Sequence, residues 1–276
     1  MPSALIFSSF VASSRVGGFI QALVFGALGV EARLIPSVLF GRHPGNGAPG
    51  GGAVGPETYR GVIEGAEAQG VLAADLILTG YFSLPEQVEM AAAAIDRARE
   101  AAVKPIVLVD PILGDEGAGL YVKPEVEAAI RELLIPRADV LAPNLWELQR
   151  LTGAVAVDAE SARKAARLLK KPVLVSSIPC GADQIGVLYV DKGAAWLACH
   201  ARALAVPKGT GDLLKALFAV GLIEAAPPPT ALARAVGGLA DAIEAAVAND
   251  LQDLPVAGLA DRFRSPASRV ILSTVA

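Results

Sequence analysis

The sharpest chemistry in this sequence lies in Lys208-Gly209-Thr210-Gly211-Asp212-Leu213-Leu214, where two glycines flank a threonine just ahead of an aspartate and an apolar run. Glycines at 209 and 211 let the backbone turn so that successive N–H groups face one point at a helix start. Such a nest, reinforced by the helix dipole, holds an anion. A carboxylate beside a bound phosphate can take a proton from an attacking hydroxyl, which makes Asp212 a candidate general base. The same residue could equally do no more than cap the helix. Neither a Gly-x-x-x-x-Gly-Lys-Ser/Thr loop nor a dinucleotide glycine fingerprint after the first strand occurs, which argues against a P-loop nucleotidase and a nicotinamide enzyme.

Three more carboxylates fall after apolar runs. Val109-Asp110-Pro111-Ile112-Leu113-Gly114-Asp115 carries two of them, and Ala142-Pro143-Asn144-Leu145-Trp146-Glu147-Leu148 carries the third. A Mg²⁺ ion shared with phosphates needs few protein carboxylates and keeps several waters, so Asp110 and Glu147 are candidate ligands. Capping a turn before proline is the rival role for Asp110, and capping a helix N-terminus the rival for Glu147. Three carboxylates at successive strand ends favour the shared metal site. Tyr81 follows another apolar run and can present a flat face to an aromatic acceptor. His43, in a glycine-rich stretch, is a further pocket candidate, although a histidine so placed is commonly just solvated.

The elements that must position these groups alternate. Strands are expected at residues 4–7, 32–35, 76–79, 106–109, 140–142 and 173–175, with helices near 17–29, 57–69, 84–102, 124–135 and 158–170. Pro124 can open its helix, and Asp158 is a plausible cap. Apolar runs without alternation suit strands covered on both faces, and the βαβα order predicts a mainly parallel sheet with helices on both sides. A hairpin of Ile185–Val190 and Ala194–Ala198 follows, then helices from Asp212 to Ile223 and from about Thr230 to Val247. Ligands in such sheets bind beyond the carboxyl ends of the strands. That rule singles out Ser8 and Ser9, Gly80 and Tyr81, Asp110 and Asp115, Asn144 and Glu147, Ser176 and Ser177, and the loop before Asp212. Gly45 to Gly55 reads as a mobile glycine-rich loop, either a linker or a substrate cover.

The 276 residues are expected to form one α/β domain, with 53% hydrophobic and 19% charged residues and a net charge of -4. No long Lys/Arg run recommends a nucleic-acid or acidic-membrane partner. Val16 to Val30 is uncharged but shorter than a membrane span and broken by glycines and Gln21. It therefore reads as a buried first helix rather than a signal segment. Cys180 and Cys199 cannot build a disulfide framework, which suits a reducing cytoplasm.

The run Gly209-Thr210-Gly211-Asp212-Leu213-Leu214 resembles the anion hole and catalytic aspartate of the ribokinase superfamily, and further segments resemble the pyridoxal kinases within it. These are Leu78-Thr79-Gly80-Tyr81, Asp110-Pro111-Ile112-Leu113-Gly114-Asp115, Pro143-Asn144 with Glu147, and Val175-Ser176-Ser177. The resemblance runs over about residues 4–258 and implies a ribokinase-like three-layer fold. It implies ATP-dependent phosphorylation of pyridoxal at the 5′-hydroxymethyl group, with Asp212 as base and the N–H groups of Gly209, Thr210 and Gly211 on the γ-phosphoryl. Asp110 and Glu147 would hold Mg²⁺ largely through water, with Asp115 near the phosphates. Asn144, Ser176 and Ser177 would line the nucleotide side, and Ser9, Val16 and Tyr81 the acceptor. A cytoplasmic homodimer, with a monovalent cation (K⁺ or Na⁺) as a further ligand, completes the expectation.

Departures from the family pattern concern the acceptor and the cation. Gly41-Arg42-His43-Pro44-Gly45 stands where the family commonly reads Asn-His-Thr-Gly-Tyr, so Pro44 replaces a substrate-contacting threonine. Gly17-Gly18 stands where the family favours Gly-Asn, and Ala142 where some members carry a threonine linked to a monovalent cation. Hydroxymethylpyrimidine kinases share the fold but typically carry a cysteine at the position of Asp212. Sugar and nucleoside kinases usually have a larger, more polar lid. An idle vitamin B6 binder is the alternative outside enzymology, and it has no use for both a base and a metal site.

Overall fold

Strand β1 (Ser3–Val11) is paired on both sides, to β2 (Glu31–Phe40) and to β4 (Leu76–Thr79), both parallel to it. The computed structural model describes residues 1–203 and 205–275. From β4 the parallel sheet continues through β5 (Ile106–Val109), β8 (Val140–Leu141) and β9 (Val173–Pro179). Beyond β9 it turns antiparallel through β10 (Gln184–Val190), β11 (Ala195–Ala201) and β12 (Ile271–Thr274), and at the other edge β3 (Gly51–Ala53) returns antiparallel to β2. The order is β12-β11-β10-β9-β8-β5-β4-β1-β2-β3, with β6 (Gly114–Asp115) and β7 (Gly119–Leu120) forming a separate ribbon.

Helices cover both faces, because the central strands are apolar on both sides. Leu5, Phe7, Ile77 and Val107 face α2 (Pro56–Ala68), α3 (Pro85–Ala98), α4 (Pro124–Ala129), α5 (Leu145–Thr152) and α6 (Ala159–Leu168). Ala4, Ile6, Leu78 and Leu108 face α1 (Gly17–Ala27), α7 (Thr210–Ile223), α8 (Pro228–Ala248) and α9 (Ala260–Arg264). This three-layer, mainly parallel arrangement is the expected one. The uncharged segment after Arg15 is α1, a helix buried against β1 and α7, and no described helix is long and apolar enough to cross a membrane. Pro124 opens α4 and Asp158 caps α6, accepting from the Ser161 N–H, as the sequence suggests.

Several expectations need correction. Three residues of the 45–55 stretch, Gly51–Ala53, are strand: Gly51 has φ 78°, and a Cβ there would lie 2.1 Å from the Leu39 carbonyl oxygen, so only glycine permits the approach of β3 to β2. Ser8, Ser9, Ser176 and Ser177 lie within β1 and β9 rather than after them. The register of β1 against β2 shifts between Ser8 and Phe10, and Ser177 takes φ 65°, so both strands are bent where they carry these serines. The two cysteines also pair. Cys180 follows β9, Cys199 lies in β11, and their disulfide closes over β10 at Gly186, where a Cβ would meet the Cys180 sulfur at 2.4 Å. A hairpin that sets positions 180 and 199 on either side of a glycine brings together two cysteines that the bare spacing leaves unrelated.

Candidate active site

Helix α7 begins at the glycine loop, and its first turn carries Asp212. Gly209 precedes it with φ 91°, and a Cβ at 209 would stand 2.8 Å from the Arg15 carbonyl oxygen, so both the backbone angle and the close passage of the loop require glycine. The start of α1 meets the same point: the Gly17 N–H donates to Asp212 Oδ2 at 2.8 Å. Two helix N-termini thus face the carboxylate. Burial raises the Asp212 pKa, while the Gly17 hydrogen bond and the charges of Lys215 and His43 pull it back. The balance leaves a carboxylate more basic than an exposed aspartate and fixed in direction, as a general base needs to be.

Asp110 follows β5 and is buried, with no hydrogen-bond donor aligned on either oxygen. Lys215, one helical turn after Asp212, places Nζ 3.1 Å from Asp110 Oδ2 as a buried ion pair. Burial pushes the Asp110 pKa up and Lys215 opposes it. For Lys215, burial acts against the charge, but Asp110, Glu147 and Asp212 together outweigh it and hold the ammonium protonated. Glu147 is enclosed by backbone: its Oε1 accepts from Leu113 at 2.9 Å and its Oε2 from Asn144 at 2.8 Å. Asn144 caps α5 in return, and its amide donates to the Gly114 carbonyl at 2.9 Å. The capping role expected of Glu147 is present, and the same carboxylate also fixes the 113–114 backbone. Burial, then the charge of Asp110, raises the Glu147 pKa.

Beside these groups lies a cavity of about 210 Å³. Its polar lining includes Asp115, Asn144, Ser176, Ser177, Thr210, Gly211 and Lys215, and its apolar lining Ile185, Val187, Leu239 and Ile243. His200 and Arg202 of the β11 region complete the wall. The start of a helix beside apolar side chains can hold an anionic ligand that also carries an apolar part.

Ser9, Val16 and His43 lie near Asp212 or the residues that contact it, whereas Tyr81 lies beside Ser8. Ser9 Oγ lies so close to Gly17 that a Cβ there would approach it to 2.1 Å, and Val16 packs against Gly209. His43 lies within reach of the charges of Asp212 and Lys208; its Nδ1 accepts from the Gly45 N–H at 2.9 Å, which leaves Nε2 as the donor of the neutral ring. Tyr81 is half-buried beside β1, its N–H donating to Ser8 Oγ at 3.3 Å. Pro44 opens a single 3-10 turn capped by His43. Of the expected site residues, Asp115, Asn144, Ser176, Ser177, Thr210 and Gly211 line the cavity, and Asp110 and Glu147 are within charge range of Lys215, which also lines it. Three residues with a place in this arrangement escaped the sequence reading: Lys215, His200 and Asp253, whose Oδ1 accepts from the Arg15 N–H at 3.1 Å. Lys215 had a signal, as the only charge between Leu213 and Ile223.

The sequence model of the phosphomethylpyrimidine kinase family matches residues 71–257. With the glycine loop and its aspartate at the end of a three-layer sheet, that match defines the class: a small-molecule kinase of the ribokinase superfamily. A pyridoxine/pyridoxal/pyridoxamine kinase from Bordetella avium is 35% identical over 226 residues, 79% of this chain and 76% of that protein. A pyridoxal kinase from Leifsonia xyli is 29% identical over 98% of this chain and 99% of its own. The solved pyridoxal kinase from Leishmania donovani in complex with ADP superposes with a TM-score of 0.90 at 26% identity, covering 99% of each chain. The chain belongs to the pyridoxal kinase family.

Proposed function

We propose that this protein transfers the γ-phosphoryl group of ATP to the 5′-hydroxymethyl group of pyridoxal, giving pyridoxal 5′-phosphate as a step of vitamin B6 salvage. The observation that carries the reading is that Asp212, whose Oδ2 accepts from the Gly17 N–H and which feels the charge of His43, directly follows Thr210 and Gly211 of the cavity lining. Asp212 takes the hydroxyl proton as the oxygen attacks. The N–H groups of Gly209, Thr210 and Gly211 face the charge on the phosphoryl in flight, and α7 adds its dipole. Phosphoryl transfer asks the protein for little besides this positioning and charge stabilisation.

The residues fit a Mg²⁺ ion held mainly through water. Asp110 has buried oxygens with no aligned hydrogen-bond donor, Oδ2 facing only the Lys215 ammonium, whereas both Glu147 oxygens already accept backbone N–H groups, and no cluster of three acidic, His or Cys ligands forms among the described residues. Bound there, the ion would neutralise phosphate charge. Asp115 lies towards the phosphates, and Asn144, Ser176 and Ser177 line the nucleotide side. We read the chain as one kinase domain working in the cytoplasm as a homodimer, for which light scattering should return twice the monomer mass.

The direct test is ATP consumption with Mg²⁺ and, in parallel, pyridoxal, hydroxymethylpyrimidine and ribose. Preference for pyridoxal is expected, preference for another alcohol would replace the acceptor, and pyridoxal binding without any turnover would point to an idle binder. Tyr81→Ala is expected to raise the pyridoxal KM more than it lowers kcat, because stacking on the ring is equally available in ground and transition states. An unchanged KM would remove Tyr81 from the pocket.

A further inference from the structure

Neither the anion loop nor the base requires Lys215, yet it occupies the centre of the site. Burying an ammonium is costly unless it is paired. Here the side chains of Lys215 and Asp110 are 7% and 1% exposed and 3.1 Å apart, with Glu147 and Asp212 also within charge range. Nζ lies 3.1 Å from the point where a Cβ on Gly211 would stand, directly against the anion loop, and Lys215 lines the nucleotide cavity. Val109 pairs with Leu141, so Asp110 and Ala142 follow each other across adjacent strand ends. Ala142 is fully buried and presents a methyl group, with no side-chain oxygen for a metal ion next to Asp110.

We propose that the Lys215 ammonium is a resident cation, seated between Asp110 and the anion loop, and that this kinase binds nucleotide without help from a monovalent metal ion. Lys215 is then a positioning residue: it balances the carboxylates that would otherwise repel a polyphosphate, and it holds α7 and the end of β5 in register. The proposal rests on the nucleotide reading of the cavity but not on the acceptor, so turnover with a different alcohol would leave it standing.

The test is calorimetric titration of ADP with Mg²⁺, together with thermal unfolding, in KCl, NaCl and tetramethylammonium chloride at equal ionic strength. For the native protein, the same affinity and the same Tm are expected in all three salts. Lys215→Met, which keeps the apolar stem, should bind ADP about tenfold or more weakly in tetramethylammonium, as expected for a lost charge-assisted contact. Potassium or ammonium ions should restore part of that loss. Strong dependence of native ADP affinity on K⁺ would overturn the proposal, as would a folded Lys215→Met that binds ADP like the native protein in every salt. Should Lys215→Met fail to fold, the native salt comparison still decides. Lys215→Arg, which retains the charge, should then stay indifferent to K⁺, and K⁺ dependence in it would overturn the proposal.

Discussion

Replacement of Asp212 by alanine is expected to lower kcat by about 10²–10⁴-fold, the usual loss for a general base, with ATP affinity little changed. On the proposed reading, nucleotide contacts would come from backbone N–H groups of the glycine loop and from the cavity lining, which does not include this carboxylate. Asp212→Asn sharpens the experiment, since an amide oxygen can still accept the Gly17 hydrogen bond that now ends on Oδ2 at 2.8 Å. A fall of similar size in Asn and Ala variants would isolate proton transfer from architecture. Burial raises the Asp212 pKa, so the base is lost by protonation at a higher pH than for an exposed aspartate. The acid limb of kcat/KM should therefore lie above the ordinary carboxylate range, activity rising with pH through it. Full turnover in Asp212→Ala would end the assignment.

The other large effect is structural. Glu147→Leu removes the acceptor of the Leu113 and Asn144 N–H groups, and of a longer contact from Gly114 at 3.4 Å. A buried donor left without a partner costs about 1–3 kcal/mol, and two strong bonds are lost here. Relief from burying a carboxylate offsets part of this. A net loss of about 2–4 kcal/mol is expected, or roughly 4–16 °C in Tm for a chain of this size. Nucleotide affinity should fall with it, because the same bonds set the loop that leads to Asp115. Glu147→Gln should fall between, since its amide nitrogen turns a donor towards one of the backbone donors. An unchanged Tm in Glu147→Leu would mean that the loop is held by something else.

What could be read in advance followed from local pattern. The six central strands announced themselves as short apolar runs, and the rule that ligands sit at strand ends located Asp110, Asn144 and Glu147 without any view of their partners. The misses have a common physical root in pairings between residues far apart in sequence. Gly51–Ala53 carries no strand-forming side chain and becomes a strand only because Leu39 is there to receive it. Cys180 and Cys199 meet only once β10 lies between them. Lys215 is the lone charge between Leu213 and Ile223, and its meaning depends on Asp110, more than one hundred positions earlier. The acceptor side was the least legible, because bends at Ser9 and Pro44 set its shape and neither leaves a periodic trace.

The hydrogen bond between Gly17 and Asp212 joins positions 195 residues apart, and that from Arg15 to Asp253 joins positions 238 apart. A chain emerging from the ribosome folds from its N-terminus. The strands from β1 to β9 can therefore assemble while the polypeptide is still growing, but Asp212 arrives late and the clasp at Asp253 later still. The glycine loop arrives with Asp212 and the α8 wall of the cavity after it, so a nascent chain that stops at β9 holds neither the anion loop nor its aspartate.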